Sequence, residues 1–145
     1  MQSNSPKDDG RWWTVQCGGG PILATAIHDG HELRPEIAQV IKLSDEERLR
    51  EEDPFTGQAI LDVPTHIIAH RSRFEFDLNR GTDEAIYLTH EQSWGLDVWN
   101  DPLEPGLVQR SLSIHAAYYA MLGQLLQAVA DQHADHVAYE TGGRR

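Results

Sequence analysis

The sequence predicts an α/β domain whose sheet is mostly parallel or mixed and is flanked by helices. Three observations carry that expectation. The run Ile22 to Ile27 is compact and apolar, short enough for a buried strand. Thr65 to His70 and Arg73 to Leu78 read as two further strands joined by a tight turn. Leu107 to about Ala134 repeats apolar residues at three and four, with Ile114, Tyr118, Met121, Leu122, Leu125 and Val129 forming one stripe that suits a helix laid on a sheet.

The remaining elements follow in order. Met1 to Gly10 is rich in Ser, Asn, Pro and Asp and reads as a disordered tail, leaving 11–145 as one domain. Trp12 to Cys17 suits a short strand that Gly18 to Gly20 then breaks. Pro35 to Leu43 carries apolar residues at helical spacing. Ser44-Asp45-Glu46-Glu47 is a capping-box pattern that starts a short charged helix ending near Glu52. Asp53 to Gly57 is turn chemistry, and Gly81 to Gly106 is a long irregular span holding Trp94, Trp99, Pro102 and Pro105. After Ala134, His136 to Tyr139 begins what reads as another strand.

Bulk properties narrow the function. A chain of 145 residues can bury a core as a single domain. Its net charge of −11 repels phosphate backbones, which argues against nucleic-acid binding as a main role. No run of 18 apolar residues occurs, so no membrane span is expected, and Met1 to Arg11 lacks the apolar core of a secretion signal. Cys17 is alone and cannot close an internal disulfide, which makes a reducing cytoplasm the default compartment.

Two clusters carry chemistry. His28, Asp29, His31 and Glu32 follow the apolar run within five residues, with Gly30 giving the backbone freedom to turn. Imidazole and carboxylate are the usual ligands of catalytic zinc, which needs three of them and an open position. A polar loop on an acidic surface has the same composition, and spacing alone does not choose between the two. The second cluster is Arg73 to Arg80. Arg80 beside Asn79 suits an acidic substrate, because arginine grips a carboxylate through a planar fork of donors. Asp77 is placed to orient an arginine or a metal-bound histidine from behind. By composition alone the better reading of this stretch is a salt-bridged surface strand, Arg73 with Glu75 for example. Of the other histidines, His115 on the long helix suits a buried, hydrogen-bonded position, and His66, His70, His90, His133 and His136 have no convincing partner spacing.

The order of motifs changes those odds. RFEFDLNR, preceded by AIHDGHELRPE and followed by AIYLTHEQSWGLDVW, resembles the N-formylglutamate amidohydrolase family, a branch of the zinc hydrolases that include aspartoacylases and metallocarboxypeptidases. EEDPFTG, from Glu51 to Gly57, looks like that family's intervening segment, and the resemblance runs from about Gly20 to Val137. It implies the three-layer zinc-hydrolase fold, bound Zn2+, and a small N-acyl amino acid with free carboxylates as substrate. His28 matches the first zinc ligand. Related zinc hydrolases place a glutamate three positions later, where this chain has His31 followed directly by Glu32, so either is the candidate second ligand. Asn79 and Arg80 match the substrate-carboxylate residues, and Arg73 matches the additional arginine that positions substrate or the oxyanion.

Family members continue into an Asp-x-His segment that supplies another zinc ligand, and later into a glutamate that serves as general base. This chain runs through Glu140 to Arg145 instead, so it resembles the N-terminal half of such an enzyme. Two expectations follow. One is a domain that binds an acidic small molecule or a partner without turnover. The other is a marginal or self-associating fold, its last strand left as an edge and part of the helix surface uncovered.

Overall fold

The computed structural model describes residues 12–133. The expected tail before Gly10 and the expected strand near 136–139 lie outside them. Three short strands, β1 (Trp13–Gln16), β2 (Leu23–Ala26) and β3 (Thr65–Ala69), form one sheet in the order β1-β3-β2. β3 runs antiparallel to β1, with Trp13 opposite Ala69, and parallel to β2, with Leu23 opposite Thr65. The sheet is therefore mixed, and the α/β expectation holds.

β3 lies between its neighbours and is buried along nearly its whole length, which is why its sequence reads as apolar without alternation. Its two polar members are satisfied locally: Thr65 exchanges hydrogen bonds with the Gly18 backbone, and His66 Nδ1 donates to the Val63 carbonyl at 2.7 Å. β1, at the edge, is mostly exposed.

The β2-to-β3 crossover holds three short helices: α1 (Pro35–Ala38), α2 (Asp45–Glu51) and α3 (Thr56–Ala59). The capping box forms as expected. The Glu47 amide donates to Ser44 Oγ, and the Ser44 amide donates back to the Glu47 carboxylate. The helical spacing from Pro35 to Leu43 yields only one turn, because the chain then leaves to pair with the loop at 98–100. Lys42 N donates to Val98 O, and Asn100 N to Val40 O. The last element, α4 (Pro105–Gln132), buries Leu107, Ser111, His115 and Tyr118. Ile114, Met121, Leu122 and Leu125 pack on a core formed by Trp12, Ile67, Phe76, Leu78, Ile86 and Tyr118. Among the described residues no helix is long and apolar enough to cross a membrane.

Arg73 to Leu78 is not a strand. After β3 and an isolated bridge at Arg71, the chain turns: the Glu75 amide donates to Ser72 O, the Phe74 amide to Ser72 Oγ, and the Arg80 amide to Asp77 O. The alternation seen in the sequence survives without a ladder. Phe74, Phe76 and Leu78 enter the apolar cores, while Glu75 and Asp77, both with no exposed surface, face two buried ion networks. In the first, Glu75 accepts from the Arg34 amide and guanidinium, both at 2.8 Å, and from Arg71 at 2.6 Å. Arg34 reaches on to Ser111 Oγ at 2.8 Å, which ties this loop to α4.

Arg34 also bonds Glu36, which Arg110 of α4 grips from the other side. The Arg110 hydrogen bonds, followed by those of Arg34, lower the Glu36 carboxyl from its ordinary 4.5 to about 2. A carboxyl lowered on folding stabilises the fold fully above its unfolded value, and that contribution is lost as pH falls through the folded one. Between about pH 4.5 and 2, Glu36→Gln should therefore flatten the acid loss of stability, read from urea midpoints at pH 3 and pH 6. Parallel curves for both proteins would count against this linkage.

Gly30 brings the loop after β2 against the loop after β3. A Cβ there would lie 2.1 Å from the His70 carbonyl carbon and 2.6 Å from the Arg71 amide nitrogen. The close approach lets Glu32 N donate to His70 O and Ser72 N donate to Glu32 O, laying the loop after β2 alongside the loop after β3. Gly30→Ala forces backbone apart and should cost roughly 1–3 kcal/mol, seen as a lower denaturation midpoint at unchanged slope.

Candidate functional site

Asp77 is the hub. The loop after β2 presents His28, whose Nε2 donates to Asp77 Oδ1 at 2.7 Å. From the opposite side the Tyr87 hydroxyl donates to Asp77 Oδ2, and the Asn79 amide donates to Oδ1 at 2.8 Å. Two guanidiniums complete the shell, Arg73 Nη2 and Arg80 Nε, each 3.4 Å from Oδ2. Burial works to raise this carboxyl, but the hydrogen bonds from His28, Tyr87 and the Asn79 amide outweigh it and hold Asp77 well below the usual carboxylate range. Tyr87 moves the other way: burial, then its bond to Asp77, holds the phenol protonated well above its ordinary range.

An ionised Asp77 can only accept, so His28 Nε2 carries the proton of that bond. In the neutral ring, Nδ1 then presents a lone pair. It faces Asp53, whose Oδ2 is 3.6 Å away and whose amide donates to the His28 carbonyl at 2.9 Å. A proton on Nδ1 or a shared metal ion would reconcile these two atoms at that distance. The donor set, imidazole backed by a carboxylate plus a second carboxylate in front, fits zinc as two of the three protein ligands a catalytic site needs. Among the described residues no group of three or more His, Cys, Asp or Glu side chains is arranged to hold a metal ion.

The other two sequence candidates lie elsewhere. His31 Nδ1 donates to the buried Glu52 carboxylate at 2.6 Å, and its Nε2 accepts from Arg48 at 3.1 Å. Glu52 also accepts from Arg48 and from Ser72 Oγ, so this network braces the segments that carry Asp53 and Arg73. Glu32 is exposed and contributes backbone, through its bridge to Arg71.

The residues of the arginine end sit on turns instead of at a strand end. Arg73 spends all three nitrogens: Nε on Tyr87 Oη at 3.1 Å, Nη1 on the Glu51 carbonyl at 2.8 Å, and Nη2 on Asp77. Arg80 lies over the Tyr87 ring at 4.6 Å and is held at Nε by Asp77, which leaves its terminal nitrogens without a hydrogen bond among the described residues. Asn79 is exposed beside it. Beyond Arg80 the surface dips into a cavity of about 550 Å³ between the turn at 79–82 and α4, lined by His115 and Tyr119. His115 is buried and its Nε2 donates to Arg80 O at 2.9 Å, the packed role its helix position suggested. A separate cleft of about 470 Å³ runs along the loop at 87–103 and includes none of His28, Arg73, Asp77 or Arg80.

Asp53, Tyr87 and Trp94 were not singled out from the sequence as site residues. All three sit inside the segments that carry the family resemblance, EEDPFTG and AIYLTHEQSWGLDVW, and that was the available signal.

Comparison with known proteins bears on the fold and the family. The crystal structure of N-formylglutamate amidohydrolase from Ralstonia eutropha JMP134 superposes with a TM-score of 0.71 at 19% identity, over 84% of this chain and 53% of that one. At that identity the likeness establishes the fold, and the chain spans about half the length of that structure. No curated protein matches. The model of the family described as N-formylglutamate amidohydrolase matches residues 20–141. With most of its length covered by that match, the chain belongs to the N-formylglutamate amidohydrolase family.

Proposed function

We propose that this chain carries the substrate-holding part of a zinc-dependent amidohydrolase site, acting on the amide bond of N-formylglutamate or a similar N-acyl amino acid. The observation that supports it is the buried Asp77 hub, which fixes His28 and two arginines around one carboxylate. Zinc, held by His28 with Asp53, would supply a polarised carbonyl and a water acidified toward neutrality. The protein's own groups do the rest. Asp77 fixes the His28 tautomer, and the Tyr87 hydroxyl, accepting from Arg73 Nε, orients that guanidinium beside it. Arg80 offers its open fork to the substrate carboxylate, with Asn79 alongside, and Arg73 holds positive charge where the tetrahedral oxyanion develops.

Release of formate from N-formylglutamate with zinc supplied, together with elemental analysis for bound zinc, tests this reading. Turnover that Arg80→Ala abolishes is the expected result; a folded chain that neither takes up zinc nor releases formate would overturn it. A second reading, binding of the acid without hydrolysis, draws on one observation. Among the described residues no third donor joins His28 and Asp53. Saturable binding of N-formylglutamate with no formate released would select it.

A further inference from the structure

Trp94 is an anomaly of placement. It is a bulky residue in left-handed backbone, φ 55, followed by Gly95 at φ 89. Such backbone persists in a non-glycine residue only where the surroundings impose it. They do: Ser93 is buried with its hydroxyl donating to Leu96 O at 2.8 Å, Gly95 N donates to His90 O at 2.6 Å, and Gln92 Oε1 accepts from the amides of Leu88 and Thr89. This tight loop does not bury the indole. Trp94 stays 50% exposed, with the Arg73 guanidinium over its ring at 4.9 Å, that of Arg80 at 5.8 Å, and the Tyr87 ring edge-on at 5.6 Å.

The ring faces two like charges that repel each other. Arg73 Nη2 and Arg80 Nε both approach Asp77 Oδ2 at 3.4 Å, so one carboxylate oxygen serves two guanidiniums. Arg73 is anchored besides by the Tyr87 hydroxyl and the Glu51 carbonyl. Arg80 has no such second anchor among the described residues. Asp77 holds it at Nε, and its guanidinium otherwise lies over two rings, Tyr87 at 4.6 Å and Trp94 at 5.8 Å. The electron-rich face of an aromatic ring attracts a cation, indole most strongly, and takes up no N–H donor in doing so. A hydrogen-bonding side chain in the same place would occupy the nitrogens that a carboxylate needs.

We propose that Trp94 is a positioning residue for carboxylate binding: its ring face, with that of Tyr87, holds the Arg80 guanidinium beside Arg73 and leaves the terminal nitrogens open to the ligand. This role rests on the substrate-carboxylate reading of Arg80 above and deepens it. Because Trp94 acts through Arg80, it sets how tightly a carboxylate is held, whichever side chain the ligand bears.

The test is calorimetric binding of N-formyl-L-glutamate to the full chain, wild type against Trp94→Phe and Trp94→Leu, with no turnover required. Both variants keep a non-glycine residue in the left-handed backbone and an apolar side chain, so the difference between them isolates the aromatic face. Trp94→Phe should bind within about twofold of wild type. Trp94→Leu should bind roughly three- to tenfold more weakly, with a thermal midpoint matching that of Trp94→Phe. Trp94→Gly takes the left-handed backbone without strain; it should bind as weakly as Trp94→Leu, and it carries the comparison if Trp94→Leu does not fold. Either of these two binding as tightly as Trp94→Phe, or Trp94→Phe binding as weakly as they do, overturns the positioning role while the carboxylate site stands. If the wild type binds no N-formyl-L-glutamate at millimolar concentration, the carboxylate reading falls, and this role with it.

Discussion

Asp77→Asn is expected to destabilise the protein by roughly 3–5 kcal/mol and, on the zinc site proposed above, to weaken metal binding by about 10- to 100-fold. The first effect follows from what the carboxylate faces. Arg73 and Arg80 point at Oδ2 from two turns of one loop, and Tyr87 donates to the same oxygen. Asparagine keeps the shape but removes the charge, so two adjacent guanidiniums lose their shared counter-ion. The second effect passes through His28. An amide in place of the carboxylate can turn its NH2 group toward Nε2, which favours the wrong tautomer and takes the lone pair away from Nδ1. Urea unfolding reads the first effect, and zinc competition against a chelator of known affinity reads the second. A variant as stable as wild type would mean that the arginines are solvated well enough not to need Asp77. Unchanged zinc affinity would mean that His28 does not hold the ion.

Glu75→Gln should be nearly as costly, roughly 3–5 kcal/mol, for a different reason and with no effect on chemistry at His28. Glu75 has no exposed surface and receives Arg34 and Arg71, both themselves buried. Burying charged groups is favourable only while their partners are present, and removal of the Glu75 charge takes from two buried guanidiniums the anion they share, although Arg34 keeps its bond to Glu36. Because Arg34 continues to Ser111 on α4, the loss should also loosen the helix from the loop that bears Asp77. Total stabilities of domains this size run to about 5–15 kcal/mol, so a large share of the fold hangs on this carboxylate. Urea denaturation followed by both tryptophan fluorescence and circular dichroism checks it. A midpoint within experimental error of wild type would refute it, and loss of coincidence between the two probes would locate the damage at α4.

What the sequence made legible was local. The strand at β2, the capping box at Ser44 and the apolar stripe of α4 are each decided by neighbours within one or two turns, and each forms, although β2 is less buried than its apolar run suggests: Ile22 is exposed and only Ala26 of the strand is buried. Arg73 to Leu78 misled because alternation was taken as evidence of a ladder. Here the two faces of the segment are an apolar core and a buried ion network, which impose the same period with no partner strand. The site was half legible in the same way. His28, Asp77, Asn79 and Arg80 lie in two motifs and come together. His31 and Glu32, read from spacing, are separated from His28 by the turn at Gly30, which sends one to Glu52 and leaves the other in solvent. Asp53 reaches His28 only because its own amide bonds the His28 carbonyl across the crossover, a closure no local pattern encodes.

The parallel pairing of β2 with β3 also sets a clock. Leu23 meets Thr65 and His28 meets Asp77 only after the crossover has closed on itself, and the latter two residues are 49 apart in sequence. Chain entropy has to be spent on that closure before any of these contacts stabilises it. The Asp77 hub is therefore assembled late in folding and is among the first features lost when the two strands part. A ligand on Arg80 would act as a latch on the finished topology, slowing unfolding far more than it speeds folding.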